Sequence, residues 1–160
     1  MLRVASVGSG SKGNATLVAS EETTLLIDCG FPAREMLSRL DQINVDVADI
    51  DVILVTHEHS DHIGGVAAVS RAAGAPIYAT HGTLTSGKLE GARTIVEIES
   101  DSEFVIGDIE VSAITVPHDA KEPVQYVFKH AARRIGVLTD LGMVSPCLLY
   151  TSDAADDVVG

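Results

Sequence analysis

The apolar run Val52-Ile53-Leu54-Val55 leads straight into Thr56-His57-Glu58-His59-Ser60-Asp61-His62. An unbroken apolar run of this length reads as a strand buried on both faces, so the rest of the chain must cover a sheet from two sides. Open α/β sheets tend to place their sites at the carboxyl ends of such strands. Half of the six histidines fall in this one seven-residue window, and neutral imidazoles and carboxylates are the usual ligands of zinc, iron and manganese. The stretch therefore reads as a metal-binding loop. His57 and His59 stand two apart and point the same way on an extended backbone. Asp61 and His62 come after a turn and can face a second position. Four ligands so close in sequence suit two neighbouring ions better than one. The His-Glu-x-x-His protease pattern fails by one residue, because Asp61 stands where the second histidine belongs. That pattern also needs a helix, which Gly64-Gly65 disfavours, so Glu58 is not a metalloprotease base.

The remaining periodicities supply the two-sided cover. Strands are expected at Leu2–Val7, Asn14–Ser20, Thr23–Asp28, Val52–Val55 and Ile77–Ala79. Pro32 opens a helix whose Ala33, Met36, Leu37 and Leu40 make one apolar stripe. A second helix spans Val66–Ala73 and a short one Gly82–Lys88. From Thr94 the period changes to two, giving strands at Thr94–Ile98, Glu103–Ile106, Ile109–Val116, Val124–Phe128 and Arg134–Leu138, with a hairpin turn at Gly107-Asp108. Gly8-Ser9-Gly10-Ser11-Lys12-Gly13 matches the dinucleotide-binding G-x-G-x-x-G, but a strand rather than a helix follows it, so it is a glycine-rich turn or the floor of a site. The order of elements predicts two packed sheets with helices outside, an α/β (α+β) class.

Composition narrows the partners. Eleven basic residues against 23 acidic ones leave a net charge of −12, which argues against a broad basic footprint for nucleic acid. Capture of one phosphate by bound metal remains compatible with that charge. No apolar stretch approaches the ~20 residues of a membrane span, and Cys29 and Cys147 make no disulfide framework. A cytoplasmic protein with no membrane partner is expected.

Two later residues extend the ligand set. His118 follows the strand ending Thr115-Val116-Pro117, and Asp140 follows Gly136-Val137-Leu138-Thr139. Beside the histidine cluster, both read as metal ligands. Thr56-His57-x-His59-x-Asp61-His62, with Asp28 upstream and His118 and Asp140 downstream, resembles the metallo-β-lactamase-fold hydrolase superfamily. Ser9-Gly10-Ser11-x-Gly13-Asn14, His118-Asp119-Ala120-x-Glu122-Pro123-Val124 and Thr139-Asp140-Leu141-Gly142 resemble its WalJ-like (YycJ-type) exonuclease branch. The resemblance implies the N-terminal part of an αββα sandwich and two divalent metal ions, zinc, manganese or iron. It implies that His57, His59 and His118 hold one ion, Asp61 and His62 the other, and that Asp140 bridges them, with Asp28 shaping the loop. A further histidine that the family places beyond Asp140 has no counterpart, since His81 and His130 both precede it. Residues 1–145 are thus expected to be an incomplete domain of this fold, and 146–160 a non-native tail resembling translated adaptor sequence.

Two close divalent ions can clamp the attacking and leaving oxygens of a phosphoryl transfer, and a hydroxide shared between them is available near neutral pH. Counting Asp61, Asp140 and that hydroxide against two ions leaves the pocket net positive, which favours an anionic substrate. The expected function is a metal-dependent phosphodiesterase, a DNA exonuclease by resemblance, with Asp61 orienting the hydroxide; Lys12, on the glycine-rich loop, reads first as a solvated side chain and second, with Ser11, as a contact to a substrate phosphate. The alternatives are a thioester or lactam hydrolase on the same site, or an inactive metal-binding fragment.

Overall fold

Short β-branched runs separated by turn residues dominate the chain, and the backbone follows them. The computed structural model describes residues 1–139 and 157–159. β1 (Arg3–Gly8), β2 (Ala15–Ala19) and β3 (Thr24–Ile27) form an antiparallel meander. There follow α1 (Ala33–Gln42), β4 (Val52–Leu54), α2 (Ser60–Ile63), α3 (Val66–Ala73), β5 (Ile77–Thr80), α4 (His81–Leu84) and β6 (Ile95–Ile98). β3 through β6 are parallel neighbours, and the first sheet runs β1-β2-β3-β4-β5-β6. β7 (Ser102–Ile106), β8 (Ile109–Thr115), β9 (Val124–His130) and β10 (Arg133–Val137) build a second, antiparallel sheet, which β11 (Asp157–Val159) joins parallel to β10.

Strand alternation divides the apolar residues between two cores. Leu26, Ile53, Val55 and Ile77 face Met36, Leu40, Val66 and Val69 of the helices. Leu25, Ile27, Val52 and Leu54 face Val111, Ala113, Tyr126, Phe128 and Ile135 of the second sheet. The described residues thus stack as helices, sheet and sheet, the layers expected from the sequence. With three Phe and no Trp, both interfaces rest mainly on branched aliphatics.

Several boundaries move. Pro32 is the N-cap of α1 rather than its first residue. Leu37 is 38% exposed, so the buried stripe of α1 is narrower than predicted and rests on Met36 and Leu40. The short helix expected over Gly82–Lys88 is His81–Leu84, capped by the Thr80 hydroxyl accepting from the Thr83 N–H. The expected Gly107-Asp108 turn is present, with Gly107 at φ 57°. A Cβ on Gly107 would lie 2.1 Å from Thr23 Oγ1, because this turn packs against the β2–β3 turn. There the Asp108 carboxylate accepts bonds from Ser20 Oγ (2.6 Å) and Thr23 Oγ1 (2.8 Å). Those two bonds hold its pKa below the usual carboxylate value. The boundary drawn at residue 145, and the tail beyond it apart from β11, lie outside the described residues. Among the described residues no helix is long and apolar enough to cross a membrane.

At the other end of the sheets, Tyr126 of β9 is wholly buried and its hydroxyl donates to the Val55 carbonyl, 2.6 Å away. That bond joins the second sheet to the first residue after β4. Tyr126→Phe leaves the carbonyl without this donor in an apolar setting, and we expect a loss of ~1–2 kcal/mol in stability. Urea titration at neutral pH measures it; an unchanged midpoint would show that the bond contributes nothing.

Candidate metal centre

After β4 the chain stays extended through His59 (φ −63°, ψ 142°), then closes one helical turn, α2. Extension puts His57 and His59 on one side, and the turn brings Asp61 and His62 round to the same place. The glycine pair had disfavoured any helix here. The observed one is a single turn ending at Gly64, too short to present the protease pattern. The glycines serve a different purpose, which is close approach. A Cβ on Gly65 would lie 1.7 Å from the Phe31 carbonyl oxygen, and one on Gly30 would lie 2.0 Å from the Asp61 carbonyl oxygen. Residues 28–31 and 61–65 therefore lie backbone against backbone, joined by Cys29 N–H to His62 O and Gly65 N–H to Cys29 O, both 2.8 Å.

Asp28 lies under the cluster, 2% exposed and at φ 61°. Its Oδ1 accepts from the Thr56 N–H (2.7 Å), and its Oδ2 from the Thr56 hydroxyl (2.6 Å) and from His62 Nδ1 (2.7 Å). A carboxylate only accepts, so the Thr56 hydroxyl spends its proton on Asp28. Its lone pair must then accept from His57 Nδ1, 2.8 Å away. Both imidazoles are thereby held in the tautomer with the proton on Nδ1 and the lone pair on Nε2. Burial, followed by the neighbouring His62, pushes the His57 pKa down to about 4. His57 is thus neutral, the form that binds metal, at any physiological pH.

His118 arrives from the other sheet, on the loop between β8 and β9. Its Nε2 lies 3.4 Å from His59 Nδ1, and its ring centroid is 4.6 Å from that of His57 and 4.9 Å from that of His59. One ring nitrogen from each of His57, His59 and His118 lies within 4.8 Å of the other two. Three imidazole nitrogens converging this closely fit a divalent ion such as zinc. Next to them Asp61 Oδ2 is 3.6 Å from His62 Nε2. Asp140 lies outside the described residues. Its neighbour Thr139 is held by the buried Gln125 of β9, which accepts from the Thr139 N–H (3.0 Å) and donates to the Thr139 carbonyl.

Some contributors were not singled out from sequence. The Asn14 side chain brackets Gly10 by bonds to its N–H and carbonyl (3.1 and 2.9 Å) and reaches Asp61 Oδ2 and His62 Nε2, each 3.2 Å away. The glycine-rich loop carrying Ser11 and Lys12 is thus tied to Asp61 and His62. Asn14 closing a glycine run was the available signal; nothing in the spacing marked Gln125. His81 and His130 stay away from the centre, bonding Glu97 and the Asp108 carbonyl, each at 3.0 Å. Burial pushes the Cys29 thiol up to about 12, so it is no nucleophile.

The His57 environment has a measurable consequence for the metal-free protein. An unfolded histidine takes up its proton near pH 6.5 and folded His57 only near 4. Below pH 6.5 the unfolded chain binds more protons, so stability present above 6.5 is lost as pH falls toward 4. We expect this residue to cost ~2 kcal/mol between pH 7.5 and 5. Urea unfolding in chelator at the two pH values measures it, and His57→Gln should flatten the dependence.

Comparison with known proteins gives this geometry a context. The profile of the metallo-β-lactamase superfamily matches residues 8–158. The chain is 36% identical over 147 residues to the exodeoxyribonuclease YycJ of Bacillus anthracis, covering 87% of this chain and 54% of that protein. It is 33% identical over 158 residues to the exodeoxyribonuclease WalJ of Streptococcus pneumoniae, covering 94% of this chain and 58% of that one. The chain thus spans little more than half the length of these curated relatives. The metallo-β-lactamase fold protein YhfI of Bacillus subtilis superposes with a TM-score of 0.84 at 19% identity, over 98% of this chain and 69% of YhfI, a likeness of fold alone.

Proposed function

The chain belongs to the metallo-β-lactamase superfamily, and from that premise we propose that it is a metal-dependent phosphodiesterase acting as a DNA exonuclease. One observation carries the reading: nitrogen donors of His57, His59 and His118 converge within 4.8 Å, with the His57 tautomer held through Thr56 by Asp28. The two relatives named exodeoxyribonucleases support the choice of DNA over other anionic substrates. A cytoplasmic location belongs to the same reading, supported by the free, buried thiol of Cys29.

In this proposal His57, His59 and His118 would hold one divalent ion and Asp61 and His62 a second, with Asp140 as a further carboxylate ligand; zinc, manganese and iron all suit this donor set. Two such ions, when bound, neutralise phosphate charge and make water nucleophilic near neutral pH. The protein's own contribution is placement. Asp28 and Thr56 keep the Nδ1 protons of His62 and His57 turned away from the centre, so neither of these two rings must change tautomer to bind. Asp61 accepts a hydrogen bond from the attacking water and aims it at phosphorus. The loop tied to Asp61 through Asn14 offers Lys12 and Ser11 to a phosphate of the substrate. No protein nucleophile is required.

The test is hydrolysis of end-labelled single- and double-stranded DNA with Mn²⁺ or Zn²⁺, in a protein spanning the full length of the relatives. We expect release of nucleotides from an end, abolished by chelator and reduced ~10²–10³-fold by His59→Ala, in line with loss of an electrostatic stabiliser. Turnover of acyl-glutathione with no cleavage of any DNA would overturn the reading.

A further inference from the structure

The metal chemistry leaves one residue of the histidine motif unused. Glu58 stands between His57 and His59, and strand alternation turns its side chain away from theirs. It is nonetheless 9% exposed, a carboxylate largely withdrawn from water. Burying a carboxylate is costly unless donors meet it, so its partners indicate what it does. Oε2 accepts from the Lys121 N–H at 3.0 Å, with Oε1 3.4 Å from the same nitrogen. The Glu58 carbonyl meanwhile accepts from Lys88 Nζ at 2.8 Å.

Lys121 belongs to the loop that carries His118, and the Ala120 N–H donates back to the His118 carbonyl at 2.9 Å. The bond at Lys121 therefore sits at the far side of the turn that His118 opens. Two further attachments follow along the loop. Glu122 accepts from the Gly82 N–H (2.8 Å) and the Ser100 hydroxyl (2.6 Å), and the Val124 N–H donates to the Thr56 carbonyl (3.0 Å). The attachments at Glu122 and Val124 anchor the loop's return to β9. Among the described residues the histidine motif accepts two bonds from this loop's backbone, at Thr56 and at Glu58, and the Glu58 bond is the one made by a side chain, beside the turn that His118 opens.

We infer that Glu58 is a positioning residue: its carboxylate grips the backbone at Lys121 and so sets how far His118 reaches toward an ion held by His57 and His59. The inference rests on the ligand reading proposed above. A charge-assisted bond to a backbone N–H is short and strong, and it comes from the residue between the two ligands that His118 must join. The third donor, 59 residues downstream of His59, is thereby held in register by the motif itself. Glu58 touches no reacting atom.

The test is the zinc affinity of the chain by chelator competition, with the absorption spectrum of the cobalt-substituted protein as a second readout. Glu58→Ala should weaken the first ion ~10–100-fold, the range for loss of a residue that orients a ligand, and change the cobalt band as His118 disengages. Glu58→Asp, one methylene shorter, should move both in the same direction, which keeps the test open if the alanine variant does not fold. Glu58→Gln retains an oxygen acceptor at full reach and should restore both toward wild type. Asp108→Asn, at the far end of the sheets, should lower stability and leave both readouts unchanged. Wild-type affinity and spectrum in Glu58→Ala and Glu58→Asp overturn this inference alone. A wild-type chain that takes up no zinc overturns it together with the ligand reading.

Discussion

The site depends on one buried carboxylate. Asp28 sits at φ 61°, a left-handed conformation that costs a non-glycine residue roughly 1–2 kcal/mol. Three hydrogen bonds to an ionised group offset that cost: two from Thr56 and one from His62. The same bonds decide which nitrogen of His57 and of His62 faces the centre. Removing the carboxylate would free both tautomers and unpin Thr56 from β3. The histidines would remain in the sequence, but the lone pairs of His57 and His62 would no longer be directed.

Around that carboxylate the architecture solves a problem of distance. His57 and His59 follow a strand of the first sheet, whereas His118 follows a strand of the second. Packing two sheets face to face brings strand ends together only to within a loop's length. Glu58 to Lys121, Thr56 to Val124 and Val55 to Tyr126 then close the gap. The acidic chain, at net −12, makes this local order more necessary. Under the DNA-exonuclease reading proposed above, attraction for phosphate would come from the centre itself rather than from the outer surface.

Much of the fold was legible in the sequence, for a physical reason. A strand buried on both faces cannot hide its period, so Val52–Val55 and the alternating runs after Thr94 were placed nearly correctly. Helix ends were less legible, because they depend on caps and close contacts. Pro32 caps α1 where it was expected to begin it, and Thr80 starts α4 before Gly82. Leu37 shows that a stripe in sequence marks the side of a helix, not the width of its contact.

What the sequence determined by itself was the chemistry. Imidazoles and carboxylates at this spacing, after an apolar strand, have few uses besides metal binding, and spacing survives any detail of packing. The tertiary structure alone decided which groups support that chemistry. Asn14, Glu58 and Gln125 are ordinary polar residues until folding sets each against a particular backbone N–H or carbonyl. A hydrogen bond requires a direction as well as a neighbour, and direction between segments distant in the chain exists only once the two sheets have packed.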